Sequence, residues 1–193
     1  MRVLALLAAG ALALPAQAAT PVADARQRIA ALEADLASRP SATETLQRWC
    51  AARHLADPPV IVARLAPGPG KPADAEVRAL LHAAPDEPIR YRRVALACGA
   101  HVLSNADNWY RPGQLTAAMN RELDATDHPF GAVVKPLGFH RQTLDTQVLV
   151  PPGARTIPAD VIRNRALLET PDGTPFSLVV ETYTRRVMDD GAP

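Results

Sequence analysis

One arginine stands out because it shares a strand pattern with apolar residues. Every second residue after Arg92 is apolar, namely Val94, Leu96 and Cys98. The two-residue period of a β-strand therefore places Arg92 on the apolar face of its strand. An inward arginine is costly unless it meets an anion, either a carboxylate of the protein or a ligand. The guanidinium fork suits a carboxylate, so Arg92 is predicted to hold one.

An acidic residue with the same character lies near the end of the chain. Glu181 shares its predicted strand face with Val179, Tyr183 and Val187, which indicates an inward carboxyl group. Removal from water raises a carboxyl pKa and can keep the group protonated near neutral pH, unless a nearby arginine lowers it again. Two interpretations stay open: Arg92 and Glu181 both face a ligand, or they pair with each other across the sheet.

Other polar residues on the predicted strands are further candidates for an anion-binding site or a pocket lining. Alternative anion holders are Arg90, Arg93, Arg163 and Arg165. Arg93 lies on the opposite face from Arg92, and basic clusters on strands are more often exposed faces of a sheet. The run Ser104–Tyr110 is unusually polar for a core strand, so its side chains either cap the sheet edge or line a pocket. Trp109 and Tyr110 are expected to anchor the strand by burial.

Several other kinds of chemistry have no support in the sequence. No two histidines stand four residues apart, so no metal site is expected. The segment Pro67–Pro72 has three prolines and no hydroxyl after Lys71, so it is an exposed loop and not a phosphate loop. The Gly-x-Ser-x-Gly motif of serine hydrolases is missing. A formal net charge of +1 and 48% hydrophobic residues favour a globular protein over a nucleic-acid binder.

The first eighteen residues have the pattern of a secretory signal peptide. A basic Arg2 precedes an apolar run over residues 3–14, and Ala16-Gln17-Ala18 is a small-residue cleavage signal. The apolar run is shorter than the roughly 20 residues that a bilayer span needs. The mature chain, residues 19–193, is therefore expected in the periplasm or outside the cell, with no stable membrane span after cleavage.

Two cysteines fit an oxidising compartment. Cys50 and Cys98 are the only cysteines in the chain, and an even number in an exported protein favours a disulfide. The alternative is a pair of small buried apolar side chains. A catalytic thiol is the least favoured interpretation.

Helices are predicted early in the chain and strands later. Predicted helices are Pro21–Ser38, Ser41–Leu55, Ala73–Ala83 and Gln114–Leu123, and predicted strands are Val60–Leu65, a hairpin within Pro88–Pro112, Val133–Val150 with an interruption at Pro136-Leu137-Gly138, Ile162–Leu168 and Phe176–Val187. This order indicates an α+β fold with an antiparallel β-sheet flanked by helices. No repeat or linker divides residues 19–193, so a single domain and a monomer are expected.

Three segments, in this order, resemble chorismate lyase and the ligand-sensing domains of bacterial transcription regulators that share its fold. The first is Glu87–Leu96, followed by a glycine and a second strand ending in Tyr110-Arg111-Pro112. His128-Pro129-Phe130-Gly131 resembles the turn at the small-ligand site of this family, whose usual sequence is Thr-Pro-Leu-Gly. Asp172-Gly173-Thr174-Pro175 and the strand to Glu181 resemble the last hairpin of the family. The resemblance covers roughly residues 80–187 and implies a ligand enclosed by the sheet and its helices, with no cofactor.

The resemblance also assigns roles to residues. It implies that Arg92 holds a ligand carboxylate, that the backbone amide of Gly131 faces the ligand, and that Glu181 is the acidic partner at the other end of the pocket. Ala132 departs from the family, which often has arginine there, and a second alignment moves the turn glycine to Gly138.

Two functions follow from these roles. The first is a cofactor-independent lyase, with Arg92 and Glu181 as catalytic residues, that releases pyruvate from chorismate or a related enolpyruvyl or aromatic acid. The second is a non-catalytic exported module that binds a small aromatic or carboxylated ligand. Chorismate is a cytoplasmic metabolite, so the export pattern favours the second function.

Overall fold

A six-stranded antiparallel sheet forms the centre of the fold. The computed structural model describes residues 21–66 and 69–191. The strands are β1 (Ile61–Leu65), β2 (Arg90–Cys98), β3 (His101–Tyr110), β4 (His140–Val148), β5 (Asp160–Glu169) and β6 (Pro175–Thr184). Their order in the sheet is β1-β2-β3-β6-β5-β4, and all neighbours are antiparallel. The predicted α+β class, with an antiparallel sheet and flanking helices, is confirmed.

Five α-helices accompany the sheet within residues 21–66 and 69–191. They are α1 (Pro21–Ala37), α2 (Ala42–Ala52), α3 (Ala75–Leu80), α4 (Ala117–Ala125) and the single turn α5 (Phe130–Val133). Ser41 caps α2 by accepting a hydrogen bond from the Glu44 backbone N–H at 3.2 Å, as its capping pattern predicts. The predicted signal peptide, and Pro67 and Gly68 of the predicted loop, lie outside the described residues. Among the described residues, no helix has the length and apolar character needed to cross a membrane.

The β2–β3 hairpin is as tight as its sequence suggests. Gly99 has a φ of +53° in the turn, and a Cβ there would lie 2.8 Å from the Cβ of Ala56. A side chain at this position would therefore be both strained and blocked. A bulge between Leu96 and Ala97 shifts the register of the pair.

The helices cover the two faces of the sheet unequally. Helices α1 and α2 pack on one face through buried residues such as Leu32 and Leu46, which belong to the main core cluster. Cys50 of α2 is bonded to Cys98 of β2, so the predicted disulfide is confirmed. Helix α3 packs on the opposite face in a smaller cluster that contains Trp109. Tyr110 is buried in a third cluster beneath α4 and α5.

The prediction of a strand over Val133–Val150 is wrong in its first part. Val133 ends α5, a 3₁₀ turn covers Lys135–Leu137, and the strand starts only at His140. Gly138 ends the turn with a φ of +63°. A short apolar run does not distinguish a strand from a buried helical turn, and here Val133 and Val134 are buried with Leu123 and Phe176.

Candidate functional site

A small cavity lies between the sheet and the helices on the side of α2 and α5. On the sheet side it is lined by inward side chains of β2, β3, β4, β5 and β6. The first residues of α2 and α5 cover it. The lining residues are Pro40, Ser41, Ala42, Thr43, Arg92, Val94, Leu96, Ala106, Asn108, Phe130, Gly131, Phe139, Arg141, Leu168, Val179 and Glu181. We call this space the inner cavity. The inner cavity is narrow. The volume that the centre of a water molecule could occupy in it is about 50 Å³.

Arg92 faces the inner cavity and is not neutralised by a carboxylate within the described residues. Its side chain is buried with 7% exposure, whereas the adjacent Arg93 is exposed, so the predicted alternation is confirmed. One terminal nitrogen donates two long hydrogen bonds, to the carbonyl oxygens of His128 at 3.3 Å and Thr126 at 3.5 Å. Nε and Nη1 are buried and have no hydrogen-bond partner in the described part of the chain. Burial lowers the pKa of Arg92, and the nearby Tyr110 and Asp124 oppose the shift only in part.

Glu181 is held by a different arginine. Its carboxylate accepts a hydrogen bond from Nη2 of Arg141 at 2.6 Å, and the two side chains are almost completely buried. The hydroxyl of Tyr183 donates to the same oxygen at 2.9 Å. Burial raises the pKa of Tyr183 far above its ordinary value, and Glu181 adds to the shift, so the hydroxyl keeps its proton. The interpretation that Arg92 and Glu181 pair with each other is therefore wrong.

The strand order explains why those two residues stay apart. Arg92 is opposite Asn108 on β3, whereas Glu181 is opposite Ala106 on the same strand. Arg92 and Glu181 are therefore separated by two strand spacings across the sheet and by two residues along the strands. At ordinary sheet spacings this corresponds to a Cα–Cα distance of roughly 12 Å. Both nevertheless line the inner cavity. The inner cavity therefore extends between two residues that do not contact each other.

Gly131 lies in the cover of the inner cavity, at the start of α5. A Cβ at Gly131 would lie 3.0 Å from Oγ1 of Thr43 in α2, which is tighter than an ordinary contact, so the two covering helices approach each other closely here. Gly138, the alternative turn glycine, is not among the residues that line the cavity. The structure therefore brings Arg92, Gly131 and Glu181 to one space.

The rest of the wall combines one amide with apolar surface. Oδ1 of Asn108 accepts a hydrogen bond from the buried hydroxyl of Ser177 at 2.7 Å, which fixes the orientation of the amide. Its Nδ2 has no protein partner among the described residues and is available as a donor. Phe130 and Phe139 contribute aromatic surface, and both rings also contact Phe176 behind the cavity. The polar interpretation of Ser104–Tyr110 as pocket lining is thus correct for Asn108.

The remaining arginines of the sequence analysis lie elsewhere. Arg90 forms an ion pair with Asp124 of α4, and Arg165 forms one with Glu76 of α3. Arg163 is exposed. Arg141, in contrast, was not predicted as a site residue. Its one sequence signal is the alternation with Phe139, and it lies on an edge strand that is otherwise largely exposed.

The cavity does not have the composition of a metal centre. Among the described residues, no group of three or more histidine, cysteine, aspartate or glutamate side chains could hold a metal ion. His128 pairs with Glu122 at 2.8 Å on the surface, and His101 pairs with Asp189 at 2.8 Å in a partly buried position away from the cavity.

Comparisons with known proteins identify the fold. No protein-family model matches the chain. The effector domain of PhnF from Mycobacterium smegmatis has a TM-score of 0.52 and 13% identity, over 75% of this chain and 88% of that domain. The possible transcriptional regulator YydK from Bacillus subtilis has a TM-score of 0.44 and 14% identity, and the match covers 69% of this chain but only 61% of the regulator. The sheet and its helices therefore have the fold of the PhnF effector domain, a chorismate lyase-like fold.

A sequence relative defines the family. The uncharacterized protein y4mC of Sinorhizobium fredii (strain NBRC 101917 / NGR234) is 46% identical over 179 residues, which cover 84% of this chain and 76% of the relative. Identity at this level over most of both chains places them in one family. The chain therefore belongs to the family of y4mC and has a chorismate lyase-like fold.

Proposed function

We propose that this protein binds a small carboxylated ligand with an apolar or aromatic body in the inner cavity. The observation that carries the proposal is Arg92, which lines that cavity and whose buried guanidinium has two nitrogen atoms without a hydrogen-bond partner among the described residues. A buried charge without a counter-ion costs several kcal/mol, roughly, and a protein retains one where a ligand supplies the missing anion. A carboxylate would supply the missing negative charge and accept a charge-assisted hydrogen bond from these donors.

The charge of the cavity favours one carboxylate. Arg92 and Arg141 contribute two positive charges, and Glu181 contributes one negative charge, which leaves a net charge of +1. A monoanion on Arg92 neutralises the cavity without disturbing the pair of Arg141 and Glu181. A neutral ligand would leave the buried charge of Arg92 unpaired.

The apolar wall favours a ligand whose remaining surface is aromatic or aliphatic. Phe130 and Phe139 offer ring faces and edges, and Val94 and Leu168 complete the apolar lining. Nδ2 of Asn108 could donate to an oxygen of the ligand, and the carboxylate of Glu181 could accept from a hydroxyl. The narrow volume limits the ligand to roughly the size of a benzoate unless the cover opens.

Benzoate and benzamide make a matched pair of probes, because they differ in charge but little in shape. We expect calorimetry on the mature chain to show that benzoate binds at least about tenfold more tightly than benzamide, the usual value of a charge-assisted hydrogen bond. Arg92→Gln should remove this preference, whereas Arg155→Gln, which removes an exposed charge elsewhere, should leave it unchanged. Equal binding of both probes to the native protein would reject the proposal.

A second candidate function is a lyase acting on chorismate or a related enolpyruvyl acid. The observation that favours it is that Arg92 and Glu181 line one cavity from different strands of the sheet. In this reaction the enolpyruvyl group leaves as pyruvate and the ring becomes aromatic, with Arg92 as a carboxylate clamp and Glu181 as a contact to the reacting oxygen. Incubation with chorismate should then release 4-hydroxybenzoate and pyruvate in equal amounts. Formation at the rate of the protein-free control would eliminate this candidate for chorismate.

Export of the mature chain is part of the proposal. The signal-like pattern of residues 1–18 supports it, and so does the disulfide between Cys50 and Cys98, since such bonds persist in oxidising compartments. Cell fractionation followed by mass measurement should find a periplasmic or secreted protein that starts near Ala19. An unprocessed protein in the cytoplasm would contradict this part.

A further inference from the structure

A buried amide shares the inner cavity with Arg92. Asn108 of β3 lines the cavity and is only 4% exposed. It is the register partner of Arg92 on β2, so the two side chains leave the same face of the sheet from adjacent positions. The Cβ atoms of residues that face each other in this way lie about 4.5–5.5 Å apart. Asn108 is therefore placed to contact a ligand group that Arg92 holds.

The orientation of the Asn108 amide is set from behind the cavity wall. Oδ1 of Asn108 accepts a hydrogen bond from the hydroxyl of Ser177 on β6 at 2.7 Å. Ser177 is completely buried, and it is not among the residues that line the inner cavity. Nδ2 is the other branch of the planar amide, and it has no hydrogen-bond partner in the described part of the chain. The donor of the amide is therefore the end that remains for a ligand in the cavity.

The Ser177 hydroxyl opposes the reverse orientation of the amide. A hydroxyl proton needs an acceptor, and among the described residues Oδ1 of Asn108 is the acceptor found for Ser177. If the amide turned over, Nδ2 would donate to the serine oxygen, and the buried hydroxyl proton would lose its acceptor. A buried donor without an acceptor is costly. Ser177 therefore determines which end of the amide is left for the cavity.

This orientation does not help to neutralise Arg92. An amide oxygen next to a guanidinium could accept a hydrogen bond from it, but Oδ1 of Asn108 is already bonded to Ser177. Nε and Nη1 of Arg92 have no partner among the described residues. A buried cation and an amide donor thus line one narrow space and lack an acceptor within the described chain. An anionic oxygen of a ligand would satisfy both groups.

We propose that Asn108 is a specificity-determining residue, which donates from Nδ2 to the ligand carboxylate that Arg92 holds. Ser177 is the positioning residue that keeps the amide in this donating orientation. The inference rests on the function proposed for the inner cavity and explains how a carboxylate is distinguished from a carboxamide. A carboxylate offers two oxygen atoms, one for each donor, whereas a carboxamide offers one oxygen and an NH2 group that would meet the second donor.

Calorimetric titration of the mature chain with benzoate and benzamide tests both roles. Asn108→Leu removes the donor at nearly constant size and should weaken benzoate binding by about tenfold, the usual loss for a charge-assisted hydrogen bond, with a smaller effect on benzamide. Ser177→Ala should also weaken benzoate binding, because the amide can then turn its oxygen toward Arg92. Adding Ser177→Ala to Asn108→Leu should cause no further loss, since Ser177 acts through Asn108. Asn105→Leu removes an amide that does not line the cavity from the same strand, and this control should bind benzoate like the native protein.

A further variant tests the pairing of Asn108 with Arg92 without any ligand. Asn108→Asp retains an acceptor for Ser177 and places a carboxylate next to Arg92, so the urea midpoint at neutral pH should rise above the native value and benzoate binding should be lost. A lower midpoint in Asn108→Asp would overturn the proposal. So would native benzoate affinity in Asn108→Leu and Ser177→Ala when Arg92→Gln weakens binding. Equal binding of benzoate and benzamide to the native protein would instead refute the function proposed for the inner cavity.

Discussion

Replacement of Arg92 by methionine should stabilise the ligand-free protein while it abolishes binding. The variant replaces a buried charge, two of whose nitrogen atoms have no hydrogen-bond partner in the described part of the chain, with an apolar side chain of similar length. It gives up only two long hydrogen bonds, at 3.3 and 3.5 Å, to backbone carbonyl groups. Hydrogen bonds of this length contribute near the low end of the usual range, about 0.5–1.5 kcal/mol each. Removing the cost of burying the charge should therefore outweigh the loss of these two hydrogen bonds.

The expected gain is about 1–3 kcal/mol in the free energy of unfolding, which corresponds to a rise of roughly 2–10 °C in Tm for a domain of this size. Arg141 supplies the contrast, because its charge is paired. Arg141→Met would leave Glu181 buried with the Tyr183 hydroxyl as its remaining side-chain donor among the described residues. Breaking a buried pair in this way costs about 3–5 kcal/mol.

Urea unfolding followed by circular dichroism measures both variants, with the slope of the transition as a check that the unfolded state is unchanged. Calorimetry with benzoate on the folded Arg92→Met protein then reports binding separately from stability. A stability loss of more than about 1 kcal/mol in Arg92→Met would refute the reasoning, since it would mean that Arg92 has a structural partner.

Three further predictions concern the disulfide, the alkaline limit of stability and the cover of the cavity. Reduction of the bond between Cys50 and Cys98, which are 48 residues apart, should lower the free energy of unfolding by up to about 4 kcal/mol; an unchanged urea midpoint in fully reduced protein would contradict this. Burial raises the pKa of Tyr91 to about 12, and a hydrogen bond to a carboxylate adds to the shift, so the folded state holds this proton more tightly than the unfolded chain. Its contribution to stability is therefore complete below about pH 10 and is lost as the pH rises to about 12, and Tyr91→Phe should make that decline less steep in unfolding measurements. Gly131→Ala should weaken benzoate binding and cost about 1–3 kcal/mol of stability, because its Cβ would lie 3.0 Å from Oγ1 of Thr43 and displace that side chain. Gly113→Ala, whose Cβ would have nothing within 4 Å, should change neither quantity, and equal effects of the two variants would show that Thr43 moves aside without cost.

Local patterns were sufficient for most of the fold. The period of two in β2 placed Arg92 inward and Arg93 outward, and the serine cap located the start of α2. The failure over residues 133–138 has a physical cause, because two adjacent valines satisfy a buried helical turn as well as a strand. What decided between them was packing against Phe176, a residue about forty positions later in the chain.

Some individual site residues were predictable from sequence, but their spatial relation was not, because it also depends on contacts between distant parts of the chain. Arg92 and Glu181 could be identified from alternation within single strands, but their relation depends on the strand order, which places β3 between β2 and β6. Without that order, a direct pair was as reasonable as a shared pocket. Arg141 was missed because an edge strand with mostly exposed side chains gives little indication of which one turns inward.

The position of Arg141 determines what the cavity can select. By neutralising Glu181, Arg141 leaves Arg92 as the buried cation that lacks a carboxylate partner among the described residues. If Glu181 reached Arg92 instead, the pair would close the space and no anion would be needed. The charge of Arg92 is buried, so a ligand without an anionic group would leave it unpaired. Such a ligand should lose more binding free energy than an anionic ligand whose apolar part packs poorly against Phe130 and Phe139. Selectivity in the inner cavity should therefore depend first on charge and only then on shape.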